Sequence, residues 1–63
     1  MAKYEELKGK IAEHYSEEFR KNNNLAQIIE NDGAIHDGII DSYDSGGITE
    51  KEYHELLEMG NFA

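Results

Sequence analysis

The chain has 63 residues, with fourteen Asp and Glu against six Lys and Arg, a formal charge of −8 when its three His are neutral. That length supports one small unit over residues 1–63, with a core near the lower limit for folding alone, so a partner, a metal or self-association would add to its stability. With no cysteine present, disulfides, thiolate metal sites and a Cys nucleophile are excluded. No apolar run exceeds two residues, so neither a membrane span nor a signal-peptide core is expected and the chain reads as cytoplasmic.

Proline is absent throughout, and the helix formers Glu, Lys, Leu, Ala and Ile are broken only by Asn and Gly, which predicts an all-α fold: a compact bundle of three or four helices. From Tyr4, the residues Leu7, Ile11, Tyr15 and Phe19 recur at spacings of three and four, one apolar stripe on a helix of about residues 2–21. Glu6 to Lys10 and Glu17 to Lys21 are four-apart pairs in the favourable order on its exposed side. Gly9 costs this helix about 1 kcal/mol relative to Ala unless it permits a close helix crossing.

Asn22, Asn23 and Asn24 predict the first corner, because Asn bonds its own backbone and tolerates left-handed conformations. Asn24 then caps a short second helix that turns Leu25, Ile28 and Ile29 inward and stops near Asn31-Asp32-Gly33. Asp32 is the natural cap of a third helix over about residues 33–42, carrying Ile35, Ile39, Ile40 and Tyr43 at helical spacing. A corner near residues 43–49 follows. Thr49 and Glu52 form a capping-box pattern that starts a fourth helix, with Ile48 placed to staple onto Tyr53. Tyr53, Leu56, Leu57 and Met59 are its inward residues, and Gly60 ends it as a left-handed cap with Phe62 folding back.

Asp41 to Glu52 is a twelve-residue segment of oxygen-bearing side chains around Gly46-Gly47. It resembles the EF-hand calcium loop, which supplies oxygens from positions one, three, five, seven, nine and twelve and has Gly at six. The resemblance makes Asp41, Ser45, Gly47, Thr49 and Glu52 the metal ligands, with Ile48 at the apolar position eight. Tyr43 departs from it, standing at position three where the family has Asp or Asn, and no second loop is present for the usual pairing. Calcium affinity would then lie near the weak end of the range, about 10⁻⁴–10⁻³ M. The Gly-Ile-Thr-x-x-Glu-Tyr-x-x-Leu-Leu pattern also resembles short helical-hairpin modules of the SHOCT type, in which such a corner is architectural and no cofactor is needed. Glu52 separates the two readings: it either bonds back to the Thr49 amide or turns its carboxylate into the loop.

Charge is distributed unevenly. Residues 1–21 carry five bases and five acids and are neutral, whereas nine acids from Glu30 to Glu58 face the single base Lys51. Such a field repels nucleic-acid phosphates and attracts basic surfaces. The expected function is a small interaction module that docks on a macromolecular partner through Asp37, Asp41, Asp44, Glu50, Glu55 and Glu58, an inhibitor or adaptor of the small phage-protein type. The expected partner is a protein with a basic surface, the module itself being open to homodimer formation, with no direct binding to nucleic acid or membrane. The plainer reading of the same charges is solubility.

Catalysis is not expected. His14, His36 and His54 include no pair spaced to place two metal ligands on one helix turn, and Ser16, Ser42 and Ser45 lie in no nucleophile elbow. His54, four residues from both Glu50 and Glu58, reads as a surface ion pair. His14 beside the Ile11 and Tyr15 stripe reads equally as a half-buried hydrogen-bonding residue or as a ligand.

Overall fold

The first apolar stripe does not run on one helix. In the computed structural model, which describes residues 2–62, α1 spans Lys3–His14 and α2 spans Glu17–Asn22. Met1 and Ala63, which the reading of residues 1–63 as one unit includes, lie outside the described residues. The break at Tyr15 and Ser16 comes from the Ser16 hydroxyl, which donates to the Glu13 carbonyl at 2.7 Å and accepts from the Phe19 amide at 3.2 Å. Ser16 therefore closes one helix and caps the next, and Glu17 and Glu18 sit at the positive end of α2. Leu7, Ile11 and His14 form the buried face of α1, while α2 buries no residue fully. The Lys10–Glu6 pair forms at 3.8 Å.

The second and third helices expected from the sequence are one helix. α3 spans Leu25–Asp44, twenty residues, and Asn24 opens it in a capping box with Gln27. Asn31 and Asp32, expected to break it, turn their side chains away from their own backbone toward His14. Asn31 Nδ2 lies 2.8 Å from His14 Nδ1, and Asp32 Oδ1 lies 3.3 Å from His14 Nε2. With a tertiary partner for both side chains, the local bonds that would compete with the helix are not made. Gly33 passes through with open space at its Cβ position.

α3 stops at a Schellman motif: the Gly47 amide donates to the Ser42 carbonyl at 2.7 Å, and the Gly46 amide to Tyr43 at 3.1 Å. Gly46 takes the left-handed conformation this requires, with φ of 80°. α4 spans Glu50–Met59 and ends in the same motif, Phe62 donating to Leu57 at 2.8 Å and Asn61 to Glu58 at 3.1 Å. The left-handed residue there is Asn61, with φ of 61°, and not Gly60 as expected. Gly60 is required for a different reason: a Cβ there would run into the Phe62 ring folded over it.

α1, α3 and α4 pack on one another and α2 packs on α1, giving the expected all-α bundle with overall extents of 33 × 19 × 18 Å. Leu7, Ile11, Ile35, Ile39, Ile48 and Leu56 form the core, with Tyr4, Tyr53, Leu57 and Phe62 packed against it. Gly9 faces no neighbour within 4 Å, so the close crossing considered for it does not occur there, and Gly38 instead faces Leu7 at 3.7 Å. Leu25, Ile29 and Met59, expected to point inward, are at the surface. Among the described residues, no helix is long and apolar enough to cross a membrane.

Continuity of α3 through Gly33 has a direct consequence. Gly33→Ala, placed in an exposed helix interior, should raise unfolding stability by about 0.5–1 kcal/mol in urea denaturation, whereas a turn at residues 31–33 would make it destabilising. His14→Ala should cost about 1–3 kcal/mol, because it strands the Asn31 amide against an emptied site.

Candidate functional site

The acidic face is built by the phase of α3. At 3.6 residues per turn, Asp37, Asp41 and Asp44 fall within an arc of about 60°, on the side roughly opposite Ile35, Ile39 and Ser42. All three are exposed. Glu30 is exposed and falls on the same arc. It belongs to the row, yet its membership depends on the phase continuing through residues 31–33, which the expected break conceals. The whole of α3 contains no Lys or Arg.

Glu50, Glu55 and Glu58 on α4 do not extend this row as one set. Glu50 and Glu58 are exposed on the outer face of α4, interleaved with Lys51 and His54, and Glu50 lies 3.8 Å from His54 Nε2. The expected pairing of His54 is thus seen with Glu50. Glu55 is half-buried and accepts the Tyr4 hydroxyl at 2.8 Å. That hydrogen bond to a carboxylate holds the Tyr4 phenol above its usual pKa, and the Glu55 charge acts in the same direction. Of the six residues proposed from sequence, Asp37, Asp41 and Asp44 share one helix face, Glu50 and Glu58 share another, and Glu55 is engaged in holding α1 to α4.

Asp41 to Glu52 forms the corner between α3 and α4. Asp41 through Asp44 are helical, leaving Ser45–Thr49 between the helices. Glu52 Oε1 accepts from the Thr49 amide at 2.9 Å, and Thr49 Oγ1 accepts from the Glu52 amide at 3.1 Å. Ser45 Oγ donates to the Ser42 carbonyl at 3.2 Å. Tyr43 stacks on Tyr53 with ring centroids 4.4 Å apart, filling the space between the helices. Three of the five candidate ligands, Ser45, Thr49 and Glu52, therefore have side-chain oxygens committed to hydrogen bonds within the corner, and Asp41 lies on the solvent face of α3. In this arrangement the same residues serve a helix stop followed by a helix start, with Glu52 bonded back to the Thr49 amide. Gly47, the fifth candidate, approaches the backbone closely: a Cβ there would lie 3.3 Å from the Ser42 carbonyl oxygen.

His14 is 3% exposed and has partners on both ring nitrogens. An amide nitrogen facing Nδ1 can only donate, so Nδ1 accepts and the neutral ring carries its proton on Nε2, toward Asp32. Tyr15 and Phe19 flank the ring at 5.0 and 5.6 Å. Its spacing of three from Ile11 in the buried stripe is the sequence signal for its place in the core. No family model, curated protein or solved structure matches this chain.

The capping geometry is open to test. Thr49→Ala should cost about 1 kcal/mol of stability, while Glu52→Gln, which can still accept from the Thr49 amide, should cost little. Amide NMR with calcium and magnesium in parallel should show no calcium-specific movement of the Gly46 and Gly47 resonances. Saturable shifts there that vanish in Glu52→Gln would instead mean that the corner opens to take a cation.

Proposed function

We propose that the chain is a small protein-interaction module that docks on a basic macromolecular surface through the acidic row on α3, as an inhibitor or adaptor of the small phage-protein type. The observation that carries this reading is the row itself: Glu30, Asp37, Asp41 and Asp44 on one exposed face of a helix with no Lys or Arg. Among the described residues, none of these four carboxylates has a Lys, Arg or His partner within salt-bridge distance, whereas Glu6 lies within reach of both Lys3 and Lys10. Four unneutralised carboxylates on a rigid helix repel one another. A cationic partner relieves that repulsion and is steered toward the row before contact.

Binding to poly-L-lysine, a defined cationic probe, tests this. Affinity should fall about tenfold or more as salt rises from about 50 to 300 mM, because exposed charges are screened over shorter distances. The triple variant Asp37→Asn, Asp41→Asn, Asp44→Asn should lose most of the low-salt binding. Glu50→Gln with Glu58→Gln should lose much less, since Lys51 and His54 already dilute that face. Affinity indifferent to salt, or equal losses in the two variants, would count against the α3 row as the docking surface.

A further inference from the structure

α3 also carries an apolar stripe beside the acidic row. Leu25, Ile29, His36, Ile40 and Tyr43 fall within an arc of about 60° at helical periodicity. Over the C-terminal half of this stripe the chain packs on itself, Tyr43, still 38% exposed, against Tyr53 at 4.4 Å and His36 against Phe62 at 4.6 Å with the rings nearly parallel. The N-terminal half is not covered: Leu25 is 72% and Ile29 62% exposed. α4 runs antiparallel to α3, and its tail reaches the stripe at His36. Two large aliphatic side chains one helical turn apart therefore continue a helix-packing seam past the point where the intramolecular partner stops.

The charge around this opening selects its occupant. α3 bears five carboxylates, Glu30, Asp32, Asp37, Asp41 and Asp44, and no Lys or Arg. A second copy laid α3 against α3 would set these carboxylates against their equivalents, a like-charge contact that disfavours the pairing. A helix with apolar residues on one side and Lys or Arg flanking them meets both features, and long basic side chains can lie along the apolar surface while their ends reach Glu30 and Asp37. We propose that the open seam at Leu25 and Ile29 seats a basic amphipathic helix of a protein partner. This rests on the acidic docking surface and names the kind of segment that occupies it.

Calorimetry with a Leu/Lys amphipathic peptide about 18 residues long, alongside its Lys→Glu counterpart, tests the seam. The intact chain should bind the Lys peptide and not the Glu peptide. Leu25→Ser with Ile29→Ser, and separately Glu30→Gln with Asp37→Asn, should each weaken binding about tenfold or more, with helix content by circular dichroism unchanged because all four side chains are exposed. Unchanged affinity in the Leu25→Ser, Ile29→Ser variant, with salt sensitivity retained, would overturn the seam and leave the acidic row standing. Binding of poly-L-lysine without binding of the Lys peptide would also overturn the seam alone, and loss of both would overturn the two together. Micromolar self-association in sedimentation equilibrium, abolished by Leu25→Ser with Ile29→Ser, would assign the seam to a second copy and overturn the basic partner.

Discussion

A buried imidazole holds the middle of the longest helix. His14, at the end of α1, takes the side chains of Asn31 and Asp32 on its two ring nitrogens, and these are the residues whose local chemistry most favours a break in α3. The residue after them is Gly33, the third member of a sequence that in isolation spells a turn. With the side chains drawn across to α1, the backbone continues as helix and α3 reaches twenty residues. At 1.5 Å per residue that is about 30 Å, against about 18 Å for α1 and 15 Å for α4. Because the two covering helices are so much shorter, α3 presents faces with no partner among the described residues.

The remaining features follow from that mismatch and from the caps that fix the short helices. Leu7, Ile39 and Leu56, one from each of α1, α3 and α4, are the most completely buried large side chains and set where the three helices meet. Ser45-Gly46-Gly47 turns the chain within a few residues, so α4 returns directly against the C-terminal half of α3. Phe62 then lies over Gly60 and on His36, while the Gly60 carbonyl accepts the Tyr15 hydroxyl at 2.7 Å, tying the tail to both α3 and the end of α1. The acidic row faces outward along α3, and the apolar seam is in contact with α4 and the tail from Tyr43 to His36 and open from Ile29 to Leu25. Both surfaces have their geometry only because the helical phase is unbroken between Glu30 and Asp37.

The parts of this arrangement readable in the sequence are those set by neighbouring residues. The all-helical class follows from composition and periodicity, and the start of α4 from Thr49 and Glu52, whose capping box forms as the pattern requires. Misplaced boundaries trace to competition between local and tertiary effects. Tyr15 and Phe19 keep the apolar spacing of α1 intact across Ser16, so periodicity hides a break that one hydroxyl makes. Asn31-Asp32-Gly33 is the converse: a local stop signal cancelled by a histidine seventeen residues earlier. Asn61 takes the left-handed position expected of Gly60, while Gly60 leaves the space that the Phe62 ring occupies. Leu25, Ile29 and Met59 show that apolar identity does not reveal whether a neighbour is long enough to cover it. Glu30 joins the acidic row only where α3 is continuous, so the local stop signal at residues 31–33 hides it.

Backbone continuity through residues 31–33 is thus the feature on which the row and the seam both rest, and it can be measured without any partner. Carbon chemical shifts and amide exchange by NMR on the intact chain report it residue by residue. Helical Cα shifts running unbroken from Leu25 to Asp44, with slowed exchange at the Gly33 to Ile35 amides, are the expected result. A return to coil values at Asn31 to Gly33 with unprotected amides there would contradict it, dividing α3 and uncoupling Glu30, Leu25 and Ile29 from the face that carries Asp37.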